Sequence, residues 1–184
     1  MKEIKQAILC GFGGQGIVLA GTILGRAAFN DGKWVAGTNS YGAAARGGAC
    51  RAEVVISDRP IGFPYVIQAD ILIAMYQTAY NKYIGGVKQE GGLVIYDDRY
   101  VSPSESKGLK HISIPATKVA IEELSSELVA NMIILAAAVE MTGMVTKEAL
   151  KSAVVETVSE RLRELDLKAM EVGFRLGRVK SAEL

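Results

Sequence analysis

The 184 residues carry 21 Lys plus Arg against 20 Asp plus Glu, a net charge of +1, which leaves no electrostatic footprint for nucleic acid or for an anionic membrane. That length suits a single domain over residues 1–184, burying roughly 70% of the surface of its unfolded chain and leaving no room for a separate substrate domain. Hydrophobic residues make up 49% and charged ones 22%, a balance that points to a subunit hiding apolar surface against partners.

Ile4 to Cys10 reads as a buried first strand. An acid among the opening charges, and a glycine turn that interrupts the first apolar run, argue against a secretory leader. The turn is Gly11-Phe12-Gly13-Gly14-Gln15-Gly16, and a helix follows over Gly14 to Phe29 with Ile17, Ala20, Leu24 and Ala27 as its stripe. Gly21 and Gly25 should let that helix lie close on the sheet. Trp34 to Thr38 and Cys50 to Ser57 are the next strands, the latter with Ala52, Val54 and Ile56 on one face. Between them runs a small-residue loop, Asn39 to Ala49.

Asp58-Arg59-Pro60 is a turn, Ile71 to Met75 a fully apolar strand, and Tyr76 to Ile84 a helix stopped by Gly85-Gly86. Leu93 to Tyr96 and His111 to Ile114 complete the strands. From Pro115 the chain reads helical: Thr117 to Leu124, Leu128 to Thr142 closed by Gly143, and a long stripe from Leu150 to Leu176 divided into two helices near Asp166, a candidate N-cap. The longest apolar stretch, Met132 to Val139, is far short of the ~20 residues that span a bilayer. Strands alternating with helices predict an α/β fold: a three-layer, mostly parallel Rossmann-like sheet with helices on both faces and a helical C-terminal third.

In the glycine turn, Gly11 is expected to make the tight turn, Gly13 to let the backbone approach a bound group, and Gly16 to pack helix on strand. A helix N-terminus there favours an anion; glycines that serve packing alone are the other reading. A dinucleotide also requires an acid about 20 positions on, at the end of the second strand, and the nearest one, Asp31, lies before that strand. The turn fits NAD and the second half of the fingerprint is missing.

Ligands of such sheets bind at the carboxyl ends of the strands. That rule gathers Gly11 to Gly16, Thr38 to Gly48 and Tyr76-Gln77 around one crevice. In the second loop Tyr41 and Arg46-Gly47-Gly48 stand out, because small neighbours leave the Arg46 guanidinium free either to pair with a phosphate or carboxylate or to bond backbone carbonyls of its own loop. Gln15 supplies an amide near the helix N-terminus, for a ligand or for capping. Asn131, in an otherwise apolar helix, needs a partner, either the glycine loop or a backbone carbonyl.

Cys10 and Cys50 are too few and too far apart for a closed metal site, and His111, the lone histidine, has no Cys nearby. Cys10 reads as a small buried thiol and Asp97-Asp98 as a turn cap. No nucleophile and base pair is visible, so no catalytic residue and no metal ligand is assigned.

Gly11-x-Gly13-Gly14-Gln15-Gly16, Tyr41-Gly42 with Arg46-Gly47-Gly48, Val54 to Asp58, Pro64, Asp70 and Ala130-Asn131-Met132, in that order from about Lys5 to Gly173, resemble the gamma subunit of 2-oxoacid:ferredoxin (acceptor) oxidoreductases. The Gly92 to Asp97 segment looks most like the 2-oxoglutarate branch, with pyruvate, branched-chain and indolepyruvate relatives open. The resemblance implies conversion of a 2-oxoacid and coenzyme A to acyl-CoA and carbon dioxide, with two electrons passed to ferredoxin. It implies thiamine diphosphate and Mg between alpha and beta subunits, and iron-sulfur clusters on beta or a delta subunit. No cofactor is expected on this chain alone.

The gamma chain would complete the assembly and help shape the coenzyme A site, with Gly13, Gly14, Gln15, Gly16 and Arg46 lining an anion site. Where many relatives carry Pro and Glu this chain has Ala43-Ala44-Ala45, so no acidic role is carried onto that loop. A cytoplasmic complex is expected, with the isolated chain inactive and a homodimer as its form when alone. The alternative is a stand-alone nucleotide-binding or regulatory module.

Overall fold

The computed structural model describes residues 4–40, 48–104 and 108–183. Its strands are β1 (Ile4–Phe12), β2 (Trp34–Ser40), β3 (Ala49–Ser57), β4 (Ile71–Ala74), β5 (Leu93–Asp97) and β6 (Lys110–Ile114), hydrogen-bonded in the order β2-β3-β1-β4-β5-β6. β1, β4, β5 and β6 pair in parallel, while β3 is antiparallel to both β1 and β2. One strand, β3, therefore runs against the other five, and the mostly parallel α/β sheet stands. The reversal follows from spacing: residues 41–48 alone separate β2 from β3, whereas a parallel crossover needs a dozen or more residues.

Helices α1 (Ile17–Asn30), α3 (Ala116–Leu124), α4 (Ala130–Thr142), α5 (Lys147–Thr157) and α6 (Glu160–Lys180) build the larger core on one face. Helix α2 (Gln77–Tyr83) covers the other, where Ile8, Cys10, Leu72 and Val94 meet Tyr80 and Tyr83. The central strands are apolar on both faces because both are covered. Among the described residues no helix is long and apolar enough to cross a membrane.

Helix α4 is buried at every residue from Ala130 to Val139, as a helix with no polar face must be. Helix α6 lies against it backbone to backbone. A Cβ added at Gly173 would sit 2.3 Å from the Ile133 carbonyl oxygen, and one at Gly177 would sit 2.6 Å from that of Ala137. Gly21 plays the same part between α1 and the sheet, 2.4 Å from the Ala52 Cβ, whereas at Gly25 the space is ordinary, 3.5 Å from Val35.

Several boundaries differ from the sequence reading, most by one or two residues, and three of them matter for the packing and the site. Helix α1 starts at Ile17, because Gly14 (φ +116) and Gly16 (φ +71) have left-handed backbone that cannot enter a right-handed helix. Glu127–Val129 forms a 3-10 turn before α4. The C-terminal stripe divides at Val158-Ser159 and not near Asp166: Val158 is extended, Ser159 occupies the N-cap position, and Asp166 lies inside α6 at 6% exposure. The apolar stripe runs through the break in register, which is why periodicity alone places it elsewhere.

Candidate functional site

The carboxyl ends of β1, β4, β5 and β6 open onto one crevice, and the antiparallel pairing Phe12↔Ala49 brings the start of β3 to the same edge. Gly11 lies inside β1, paired with Cys50, and does not make the turn. Its hydrogen leaves room for Gln15: an added Cβ would stand 2.5 Å from Gln15 Oε1. The turn belongs to Gly14 and Gly16. Gly13 is exposed, with nothing within 4 Å of an added Cβ, so its backbone is open to approach. Gly16 makes room for a helix and not for a strand, since an added Cβ would stand 2.2 Å from Asn131 Nδ2.

Gln15 fastens the turn to the sheet. The Phe12 N–H donates to its Oε1 at 3.0 Å and its Nε2 donates to the Met75 carbonyl at 2.9 Å, tying the end of β1 to the end of β4. Asn131 does the same for two helices: its Nδ2 donates to Gly16 O at 3.2 Å, and its Oδ1 accepts from Met132 N at 2.8 Å. The glycine loop and a backbone carbonyl, weighed as alternatives for Asn131, coincide in Gly16 O. On the other side of the turn Gly13 N donates to Gly48 O at 3.3 Å. Tyr41, Arg46 and Gly47 lie outside the described residues.

Beside the turn opens a cleft of about 220 Å³ with apolar walls from Phe12, Met75, Leu128 and Ala130. Gly14, Gln15, Thr117 and Glu127 complete it. Thr117, Glu127 and Leu128 are absent from the sequence-based candidates, because no motif marks them; they arrive through the starts of α3 and of the 3-10 turn before α4. Behind Thr117 lies fully buried Asp97, which accepts from Thr117 N at 3.1 Å, from Thr117 Oγ1 and from Arg99 N at 3.2 Å. Burial pushes its carboxyl above the usual range, against these hydrogen bonds. The Tyr100 hydroxyl donates to Glu127 Oε1 at 2.7 Å. Phe12, Tyr76 and Tyr100 line up along the edge with centroids 4.9 and 6.0 Å apart.

The remaining reactive side chains sit elsewhere. Cys10 and Cys50 are both buried, in the cores on opposite faces of the sheet, and burial pushes both thiols up. Two thiols on opposite faces of the sheet cannot converge on one iron-sulfur cluster, which is held by four ligands. His111 meets Tyr80 OH at 3.1 Å under α2, and burial lowers its pKa. Among the described residues no group of three or more His, Cys, Asp or Glu could hold a metal ion. What the crevice offers is a binding surface: a fixed glycine turn with exposed backbone, an apolar cleft and acceptor oxygens.

Residues 6–176 match the family model described as pyruvate ferredoxin/flavodoxin oxidoreductase. The chain is 44% identical over 181 residues to 2-oxoglutarate synthase subunit KorC of Methanocaldococcus jannaschii, covering 97% of this chain and 96% of that one. Among solved structures, the keto/oxoacid ferredoxin oxidoreductase gamma subunit from Geobacter sulfurreducens superposes with a TM-score of 0.86 at 36% identity, covering 96% of this chain and 98% of the other. The fold also recurs in 32% of a longer chain, the 2-oxoglutarate:ferredoxin oxidoreductase from Magnetococcus marinus solved with 2-oxoglutarate, coenzyme A and succinyl-CoA, at TM-score 0.87, 23% identity and 97% of this chain.

Proposed function

The chain belongs to the pyruvate ferredoxin/flavodoxin oxidoreductase family, and from that membership we propose that it is the gamma subunit of a multi-subunit, cytoplasmic 2-oxoglutarate:ferredoxin oxidoreductase. The observation that carries the substrate is the near full-length likeness to 2-oxoglutarate synthase subunits. In the reaction, 2-oxoglutarate and coenzyme A give succinyl-CoA, carbon dioxide and a proton, and two electrons pass to ferredoxin. Thiamine diphosphate on the partner alpha and beta subunits supplies the decarboxylation chemistry, and the clusters belong to beta or delta.

This chain's part is to bind and orient. Helix α1 starts without a side-chain cap, so its first N–H groups and partial positive charge face the crevice. Gly13, Gly14 and Gly16 keep that approach clear, Gln15 and Asn131 hold it rigid, and Gly11 makes room for Gln15. Arg46, which with Tyr41 and Gly47 falls between β2 and Gly48 in the sequence, supplies the cation. Together they receive the phosphates of coenzyme A.

The test is the complex rebuilt with its alpha and beta subunits. Arg46→Ala is expected to raise the KM for coenzyme A about tenfold, the worth of one charge-assisted hydrogen bond, with assembly intact. An unchanged KM overturns the role.

A further inference from the structure

We infer that the open edge of the sheet is a self-association surface: β2 pairs antiparallel with β2 of a second copy about a two-fold axis at Gly37, joining two six-stranded sheets into one of twelve strands. The inference is independent of the coenzyme A reading, since no residue of β2 lines the cleft beside the glycine turn.

Among the described residues β2 is bonded to β3 alone, so its outward N–H and C=O groups offer a ladder to another strand. Edges are ordinarily blunted by charge, proline or shortness. The opposite edge, β6, is five residues long and opens with Lys110. The β2 edge is seven residues long and holds neither a charge nor a proline. The surface around it is depleted of charge as well: α1 and β2 together carry a single charged residue, Arg26, which is paired with Glu156. Depletion of charge with enrichment of aromatic residues is what marks the centre of an interface. Phe29 and Trp34 are 64% and 54% exposed, and they share a shallow pocket with Val35.

The same features select a second copy as the occupant. An uncharged strand meets no like charge when it pairs with itself, and an antiparallel two-fold matches donors to acceptors automatically. With the axis at Gly37 no side chain stands on it, and all seven residues of β2 are paired. Trp34 then lies opposite Ser40 of the second copy, so its ring meets a small side chain at each end of the ladder. On the other face Val18, Thr22 and Phe29 share the side of α1 that carries Gly25, which meets Val35. Packed mainly over β3, the two α1 helices come about 14 Å apart, three strand spacings. Helices in contact lie about 8–10 Å apart, and Phe29 and Val18 of the two copies fill the difference.

Sedimentation of the purified full chain is expected to show a dimer that dissociates on dilution. Trp34→Lys should raise the dimer Kd about thirtyfold or more, the loss of an aromatic anchor that the two-fold places in the interface twice, with the circular dichroism spectrum unchanged. Val179→Lys, the same kind of change at an exposed site on α6, should leave the dimer intact. Gly37→Cys, whose added Cβ makes only ordinary contact with Glu53 O at 3.7 Å, should form an intermolecular disulfide on mild oxidation, because opposed Cα atoms lie about 4.5–5.5 Å apart. The parent, with Cys10 and Cys50 both buried, should form none. A monomeric parent overturns the inference, as does a dimer that survives Trp34→Lys, one that Val179→Lys also dissociates, or a Gly37→Cys dimer that does not cross-link. If the chain is monomeric alone and the β2 amides gain hydrogen-exchange protection only when alpha and beta subunits are added, the edge belongs to a partner subunit and the self-pairing fails.

Discussion

At the scale of single residues, two polar side chains beside the crevice spend their amides on the protein itself. Asn131, 3% exposed, spends both ends of its amide on holding the start of α1 against the start of α4, and Gln15 spends its own on two strand ends. Asp166 is the contrary case: it lies in α6 at 6% exposure, and burial alone pushes its carboxyl up. A folded pKa above the unfolded one means a stability term that is present in full below the unfolded value of about 3.9 and is lost as pH rises through the folded value. At pH 7 the charged carboxylate is therefore a burden. Asp166→Asn is expected to raise Tm at pH 7, and its advantage should shrink as the pH is lowered toward 4; thermal melts at both pH values check this, and an advantage constant with pH contradicts it. The sequence shows that Asn131 needs a partner. It cannot show that Gln15 finds one at Met75, 60 positions away, because nothing local to either residue encodes that meeting.

At the scale of elements, the contact between α4 and α6 is the tightest in the molecule's helical half. Gly173 faces the Ile133 carbonyl and the Ala136 methyl, and neither can retreat, because α4 is pressed between α6 and the sheet. Gly173→Ala is expected to destabilise the chain by about 1–3 kcal/mol, the usual cost of overpacking, despite the better helix propensity of alanine. Chemical denaturation measures it, and a stabilised variant would falsify the close approach. All six strands and the helices after each βα turn are legible from apolar runs and glycine punctuation, since those signals are local. The break at Val158-Ser159 is not: Leu150, Val154, Val158, Leu162 and Leu165 keep a helical period straight through it, and only the turn from α5 into α6 stops the helix there.

At the scale of the whole molecule, one apolar cluster runs from Ala7 in β1 to Phe174 in α6 and joins five helices to the sheet. We expect the chain to fold as one domain, so the purified chain should unfold in a single transition with calorimetric and van't Hoff enthalpies in agreement; two resolved transitions contradict it. The α/β class and the crevice at the strand ends are legible because alternation of strands and helices dictates both. The opposed direction of β3 is not read from its apolar pattern, which is the same for either direction, although the short connection before it requires the reversal. Thr117, Glu127 and Leu128 escape for a related reason: a cleft wall assembled from the beginnings of separate helices has no contiguous signature.

That opposed strand has an evolutionary corollary. A parallel crossover would have carried the chain away from the crevice after β2 and returned it at the far end of the sheet. The antiparallel pairing instead keeps the two flanks of that connection, Ser40 and Gly48, at the same edge, with Gly48 O accepting from Gly13 N of the glycine turn, while the ladder from Ser40↔Arg51 to Trp34↔Ser57 fixes the register behind them. Such a segment can be rewritten by mutation, even lengthened, without moving a core residue. Family members can thus diverge in what they accept at this edge while inheriting the same frame.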